Sequence, residues 1–239
     1  MIYASTSNGR IEASPGLRAL CLGCGGKVIS KCGSINIWHW SHKAKDSNCP
    51  GADGKTEWHI NWQNRFPAKH REIWIRSTDR LKIADIQLPD ETVIEFQHSP
   101  ITPKEIHIRE DHHKKMIWVF DCIDVYQSKR LGYSILDKKS GLVLFYWNYP
   151  KKSIRYCDSP VFLDTGEFLI HVRYNTRFGD GCIVSYRDFI DNQKIPKYVD
   201  KLMVDYDATQ TYIETKMYEP PIFKATDGKQ YANRATSYP

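Results

Sequence analysis

No run of about 18 apolar residues occurs anywhere in the 239-residue chain, and positions 1–10 carry neither a basic start nor an apolar stretch, so no membrane span or secretory leader is legible. Disorder is excluded as well, because 41% of the residues are hydrophobic and 13% aromatic, ordinary for a chain long enough to bury a core without disulfides. The seven cysteines are odd in number, with four of them between positions 21 and 49 and the rest scattered, which is not a disulfide framework. These absences point to a soluble, cytoplasmic protein, and no internal repeat is visible. Acid is in short supply: 34 Lys and Arg stand against 28 Asp and Glu, a net +6 that suits an anionic partner. The excess is uneven. Positions 1–50 hold six basic residues (Arg10, Arg18, Lys27, Lys31, Lys43, Lys45) against Glu12 and Asp46, net +4, so a fifth of the chain carries most of the charge.

The clustered cysteines share that basic segment. Cys21-Leu-Gly-Cys24-Gly-Gly is followed by His39-Trp-Ser-His42 and then by Cys49. In a reducing compartment such a cluster reads as a metal site, since two thiolates on one tight turn reach a single ion and Gly25 supplies the positive φ the turn needs. Two short strands, Lys27 to Ser30 and Ile35 to Trp40, would return the histidines to the knuckle. Zinc takes four ligands and five candidates are in place: Cys21 and Cys24 first, then His42 ranked above His39 and Cys49, with four of the five expected to bind. The zinc would be structural, because no acidic residue between the knuckle and the histidines can act as base for a bound water. Cys32, Cys122, Cys157 and Cys182 have no spaced partners and read as core residues.

From Thr56 the pattern changes. Trp58, Trp62 and Phe66 form an i, i+4, i+8 stripe behind a Thr N-cap and before Pro67, which predicts a helix. Glu72 to Arg76, Leu81 to Gln87 and Thr92 to Gln97 read as strands, Pro103 to Lys115 as a second helix, and Met116 to Asp121 as a buried strand. The order is α-β-β-β-α-β. Around the turn at Asp90, opposed residues of a symmetric hairpin have numbers summing to 180, so Asp85 faces Glu95. Two like charges so placed repel, and a divalent cation between them removes the penalty. Gln97 shares that face, and the Phe96 carbonyl could add an oxygen ligand, making a hard-oxygen site for Mg²⁺ or Mn²⁺ and phosphate chemistry. Ile83, Ala84 and Ile86 place apolar groups on both faces of the strand, where a carboxylate needs a partner.

This ordered set, from Cys-x-x-Cys through His-Trp-Ser-His, Cys49, Glu57-Trp-His59, Ala-Asp85, Ile-Glu95-Phe-Gln97-His-Ser99 and Arg109 to Ile-Trp118-Val, resembles the competence protein CoiA-like nuclease family of the PD-(D/E)XK superfamily. The resemblance covers residues 21 to about 121. It implies an αβββαβ restriction-endonuclease-like core of α/β (α+β) class behind a zinc-binding module, with DNA as substrate. By the same resemblance Asp85 and Glu95 hold the catalytic metal, Glu57 completes the acidic cluster, Gln97 stands where a lysine is usual in the superfamily, and His59 and Arg109 support the site. His113 departs from the pattern, which has a tyrosine there.

The expected division is 1–52 zinc module, 53–128 nuclease core, 129–217 a β-rich extension packed on that core, and 218–239 a tail. Leu142 to Trp147, Val161 to Leu163 and Phe168 to Tyr174 read as strands of the extension, and 185–203 as helical except at Pro196. Protein partners in DNA uptake, recombination or defence fit the basic module, and the oligomeric state, a homodimer included, stays open. The rival reading is a zinc-stabilised DNA-binding or scaffold protein that keeps the nuclease fold without turnover.

Overall fold

The computed structural model describes residues 1–35, 37–42, 49, 55–77, 80–174 and 178–191, all within one unit, Met1–Gln193. The tail 218–239 and positions 192–203 of the expected last helix lie outside the described residues. The first sheet comes from β1 (Tyr3–Thr6), β2 (Gly9–Glu12), β3 (Arg18–Leu20), β4 (Lys27–Lys31) and β5 (His39–His42), in the order β2-β1-β3-β4-β5. Three of these strands were not legible in the sequence. They are three or four residues long, too short for a periodicity, and are held by pairing such as Ser5 opposite Leu20. The strand expected over Ile35 to Trp40 lies further on, at His39–His42, because Trp40 is the residue that fits the core formed with Met1, Ala4, Cys21 and Val28. Ile35 stays outside, 93% exposed.

The second sheet starts after α1 (Glu57–Gln63), whose Thr56 cap accepts a hydrogen bond from the His59 amide. Strands β6 (Arg71–Arg76), β7 (Leu81–Gln87) and β8 (Val93–Gln97) follow, then α2 (Pro103–His113), with Thr102 capping and Pro103 in its first turn, then β9 (Met116–Asp121). The α-β-β-β-α-β order read from the sequence is the order observed. The chain goes on through α3 (Ile123–Gln127), β10 (Leu131–Asp137), β11 (Leu142–Trp147), β12 (Val161–Asp164), β13 (Leu169–Tyr174), β14 (Phe178–Val184) and α4 (Tyr186–Asp191). Among the described residues nine strands form one sheet in the order β10-β11-β14-β13-β12-β9-β8-β7-β6. Strand β9 lies parallel to both β8 and β12, with Val161 opposite Trp118. The extension therefore continues the sheet edge to edge.

Parallel pairing buries β9 on both faces, which is why Met116 to Phe120 is apolar at every position. Trp118, Phe120, Trp147, Leu163 and Ile106 fill the core beneath it, together with Cys122. Truncating such a fully buried aromatic to Ala costs about 3–5 kcal/mol. Of the aromatics between β10 and β12, Trp147 belongs to this core, whereas Tyr146, Tyr149 and Tyr156 are exposed.

The two sheets meet where β6 and β7 turn Trp74 and Ile83 against the cluster of Cys21, Val28 and Trp40. Gly23 lies so close to the Trp74 ring that a Cβ there would sit 1.9 Å from a ring carbon. Arg10 crosses the same junction, its guanidinium stacked 3.7 Å from the Tyr3 ring centroid and donating to the carbonyls of Ala68 and Arg71. The Glu72 carboxylate accepts the Ile2 amide at 2.7 Å. Among the described residues no helix is long and apolar enough to cross a membrane.

Candidate functional site

Cys21 and Cys24 lie on a tight turn closed by the Gly25 amide donating to the Cys21 carbonyl and the Cys21 amide to the Gly26 carbonyl, with Gly25 at φ +71°. The Gly23 and Gly26 amides donate to the two thiol sulfurs at 3.4 Å. In the β4–β5 ladder His42 stands opposite Val28, beside the knuckle, whereas His39 stands at the far end opposite Lys31. The Cys24 sulfur is 3.2 Å from His42 Nε2 and the Cys21 sulfur 3.5 Å from that of Cys49. The ligand atoms of Cys21, Cys24, His42 and Cys49 all fall within 4.8 Å of one another. Two thiolates on one tetrahedral zinc lie about 3.8 Å apart when each Zn–S bond is about 2.3 Å. The four residues fit a metal ion such as zinc. His39, the fifth candidate, is turned elsewhere, with Nδ1 2.8 Å from the Ile37 carbonyl.

The second constellation lies where three strands part. Ile86 pairs with Ile94 and Gln87 with Val93, the register the hairpin arithmetic requires. The backbone pairing stops there, and the Phe96 amide donates instead to Asp85 Oδ2 at 3.0 Å, so the carboxylate inserts between β7 and β8. On the other side, Arg71 pairs with Ile86 and Ile73 with Ala84; Glu72, between them, has φ +46° and drops out of the ladder. Glu72, Asp85 and Glu95 thus occupy one level of three adjacent strands, at 2%, 5% and 1% exposure. All three line a cavity of about 750 Å³, shared with Cys49, Lys55, His59, Gln97, Arg109 and His113.

Each carboxylate has a charged neighbour. Asp85 Oδ1 lies 2.6 Å from Lys55 Nζ and 2.7 Å from His59 Nε2, and accepts from Gln63 at 3.3 Å. Burial alone would push the Asp85 acid up, but His59 and Lys55 hold it well below the usual carboxylate range. Burial opposes the charge on Lys55 too, and Asp85 and Glu72 outweigh it, so its ammonium is raised above its ordinary value and stays charged. Glu95 Oε2 meets Arg109 at 2.6 Å, and Arg109 also reaches Glu105 at 3.1 Å. The Glu95 Oε1 atom makes no hydrogen bond, and His113 Nε2 lies 3.4 Å away. Gln97 donates its amide to the Ser99 carbonyl at 2.6 Å.

Helix α1 explains which residues enter the cleft. His59 and Gln63 turn to Asp85, while the indole N–H groups of Trp58 and Trp62 both donate to Asp164 Oδ2 at 2.7 Å. Glu57 lies on the side of the helix away from those four, is exposed, and does not line the cavity. The structure brings Asp85, Glu95, Gln97, His59 and Arg109 together and leaves Glu57 out. Lys55 and Glu72 were missed by sequence reasoning. For Glu72 a signal was there: across the 77–80 turn, numbers summing to 157 set it opposite Asp85. Lys55 carried none. A further group, His107, Glu110 and Asp158, also brings ligand atoms together, but Glu110 is committed to Trp118 Nε1 and the amides of Asp158 and Ser159.

The chain is thus a mixed α+β protein, mostly strands, with a Cys₃His cluster beside an acidic cleft. Residues 17–52, a small part of the 239-residue chain, are similar to the family model for the competence protein CoiA, N-terminal domain. All four residues of the Cys₃His cluster fall within the matched segment, and the acidic cleft lies beyond it. No curated protein and no solved structure matches the chain.

Proposed function

We propose that this protein is a CoiA-like, metal-dependent DNA nuclease with a PD-(D/E)XK core, acting in the cytoplasm in DNA uptake, recombination or defence. The observation that carries the reading is the pair of buried carboxylates, Asp85 and Glu95, on adjacent strands in one cleft, with Glu95 Oε1 making no hydrogen bond. A buried carboxylate oxygen without a partner is costly, and a hard divalent cation satisfies it. Asp85, Glu95 and the Phe96 carbonyl would hold Mg²⁺ or Mn²⁺, which when bound supplies Lewis acidity and an acidified water. His59 and Lys55 keep Asp85 ionised, Arg109 orients Glu95, and Gln97 lines the cleft wall, where it would meet the scissile phosphate. The Cys₃His site holds zinc as a structural staple.

The test is incubation with linear, circular and single-stranded DNA in Mg²⁺, Mn²⁺ or EDTA. Cleavage is expected with either cation and is lost in Asp85→Ala and Glu95→Ala variants that keep their folded spectra; unchanged cleavage in both variants overturns the reading. A second reading, a DNA-binding protein without turnover, is favoured by one feature: both Asp85 oxygens already have partners in Lys55, His59, Gln63 and the Phe96 amide. Such a protein holds DNA equally well in EDTA and leaves plasmid intact in Mn²⁺.

A further inference from the structure

The cleft contains more acid than the Asp85–Glu95 pair uses. Glu72 is buried, faces the same cavity and stands at the level of Asp85 on the neighbouring strand. Its Oε2 is occupied by the Ile2 and Tyr3 amides, but its Oε1, like that of Glu95, is buried without a hydrogen bond. A Glu held at positive φ in a strand is uncommon, and here it is what takes the side chain out of the ladder. Lys55 Nζ reaches into this row, 2.6 Å from Asp85 Oδ1, 3.4 Å from Glu72 Oε1 and 3.1 Å from His59 Nε2, and is the cation shared by two of the three acids.

We infer that Glu72, Asp85 and Glu95 together form the divalent-cation seat of this cleft, with Glu72 rather than Glu57 as its third acid and the Lys55 ammonium as a built-in counter-ion that an entering cation displaces. The inference rests on the cleft proposed above but concerns cation binding, not cleavage. Two buried carboxylate oxygens without a hydrogen bond, one on either side of Asp85, are what a hard cation would bind, and Glu57 on the outer side of α1 offers neither burial nor access. Removing Lys55 removes a like charge from the seat, so its substitution strengthens cation binding where loss of an acid weakens it.

The experiment is calorimetric titration of the zinc-loaded full chain with Mn²⁺, which prefers oxygen donors and is the weakest competitor at a thiolate site. Glu72→Gln and Asp85→Asn are each expected to weaken Mn²⁺ binding by roughly tenfold or more, Glu57→Gln to leave it within about twofold, and Lys55→Met to tighten it by roughly tenfold. Wild-type affinity in Glu72→Gln, a loss in Glu57→Gln equal to that in Asp85→Asn, or absence of Mn²⁺ binding by the wild type overturns the inference. Because Glu72 also holds two backbone amides, melting temperatures are measured alongside. If Glu72→Gln lowers the melting temperature, Lys55→Met decides, since unfolding does not tighten binding, and an unchanged or weaker affinity overturns the seat. Mn²⁺ binding with this residue dependence but without DNA cleavage removes the nuclease reading and leaves the seat standing. Cleavage with Glu72→Gln binding Mn²⁺ as wild type does the reverse.

Discussion

Replacing Asp164 by Ala should cost this protein a large part of its stability, because one carboxylate at the end of β12 organises both helices on that side of the sheet. Its Oδ2 accepts the indole N–H groups of Trp58 and Trp62 from α1 at 2.7 Å. Its Oδ1 accepts the Tyr186 hydroxyl of α4 at 2.5 Å and the Gly166 amide at 2.9 Å. Burial and the neighbouring Asp164 raise the Tyr186 phenol above its ordinary value, so it remains a donor at neutral pH. Hydrogen bonds to a charged group are worth about 1.5–3 kcal/mol each, but the four share one acceptor and do not add. Trp58 and Tyr186 are half-buried and can turn to water; Trp62 is buried and cannot. One stranded buried donor plus the lost shared acceptor gives about 3–5 kcal/mol for Asp164→Ala. Asp164→Asn, which keeps one acceptor oxygen, should cost roughly half as much. Urea unfolding at pH 7.5, followed by tryptophan fluorescence, measures both. A loss below about 1 kcal/mol for Asp164→Ala, with an unchanged denaturant slope, would refute the reasoning. The same variant should loosen His59 and Gln63 on Asp85, since α1 carries all four contacts.

His171 is buried in β13, stacked on Phe162 with ring centroids 4.5 Å apart, and burial together with nearby Arg173 lowers its pKa to about 4 from 6.5. The unfolded chain therefore takes up a proton over that interval while the native state does not, and stability falls as pH drops from about 6.5 to 4. The loss attributable to this residue is roughly 3 kcal/mol. His171→Phe keeps the stack and should flatten the profile by about that amount between pH 7.5 and 4.5; equal slopes for the two proteins would count against it. At the knuckle, metal analysis should find one zinc per chain, lost in Cys24→Ser and His42→Ala but retained in His39→Ala. Chelation should lower the melting temperature by roughly 10 °C, a loss of about 3 kcal/mol at this length. Retention of zinc by His42→Ala together with its loss from His39→Ala would reverse the ligand assignment.

Much of the site was legible because its determinants are local. Thr56 and Thr102 announce the starts of α1 and α2 by capping chemistry, Cys-x-x-Cys-Gly announces its own turn, and the turn at Asp90 fixes the Asp85–Glu95 register by arithmetic alone. Short-range signals failed where the outcome depends on which distant segment fills a hole. The fifth strand of the first sheet moved because Trp40, rather than the equally apolar Ile35 to Trp38 stretch, fits against Cys21 and Val28, and that displacement selects His42 over His39.

The sequence by itself determined the knuckle, the caps, the α-β-β-β-α-β order and the opposition of two carboxylates, since each depends on residues a few positions apart and on the fixed periods of helix and strand. Only the tertiary structure decided that Glu57 faces outward, that Lys55 joins Asp85 and Glu72, and that the later strands continue the same sheet through β9 and β12. Lys55 meets Asp85 across 30 positions, and Ile2 meets Glu72 across 70. Contacts at such separations are chosen by the packing of the whole core, in which a side chain's partners follow from the strands that pair and the helix face that is buried.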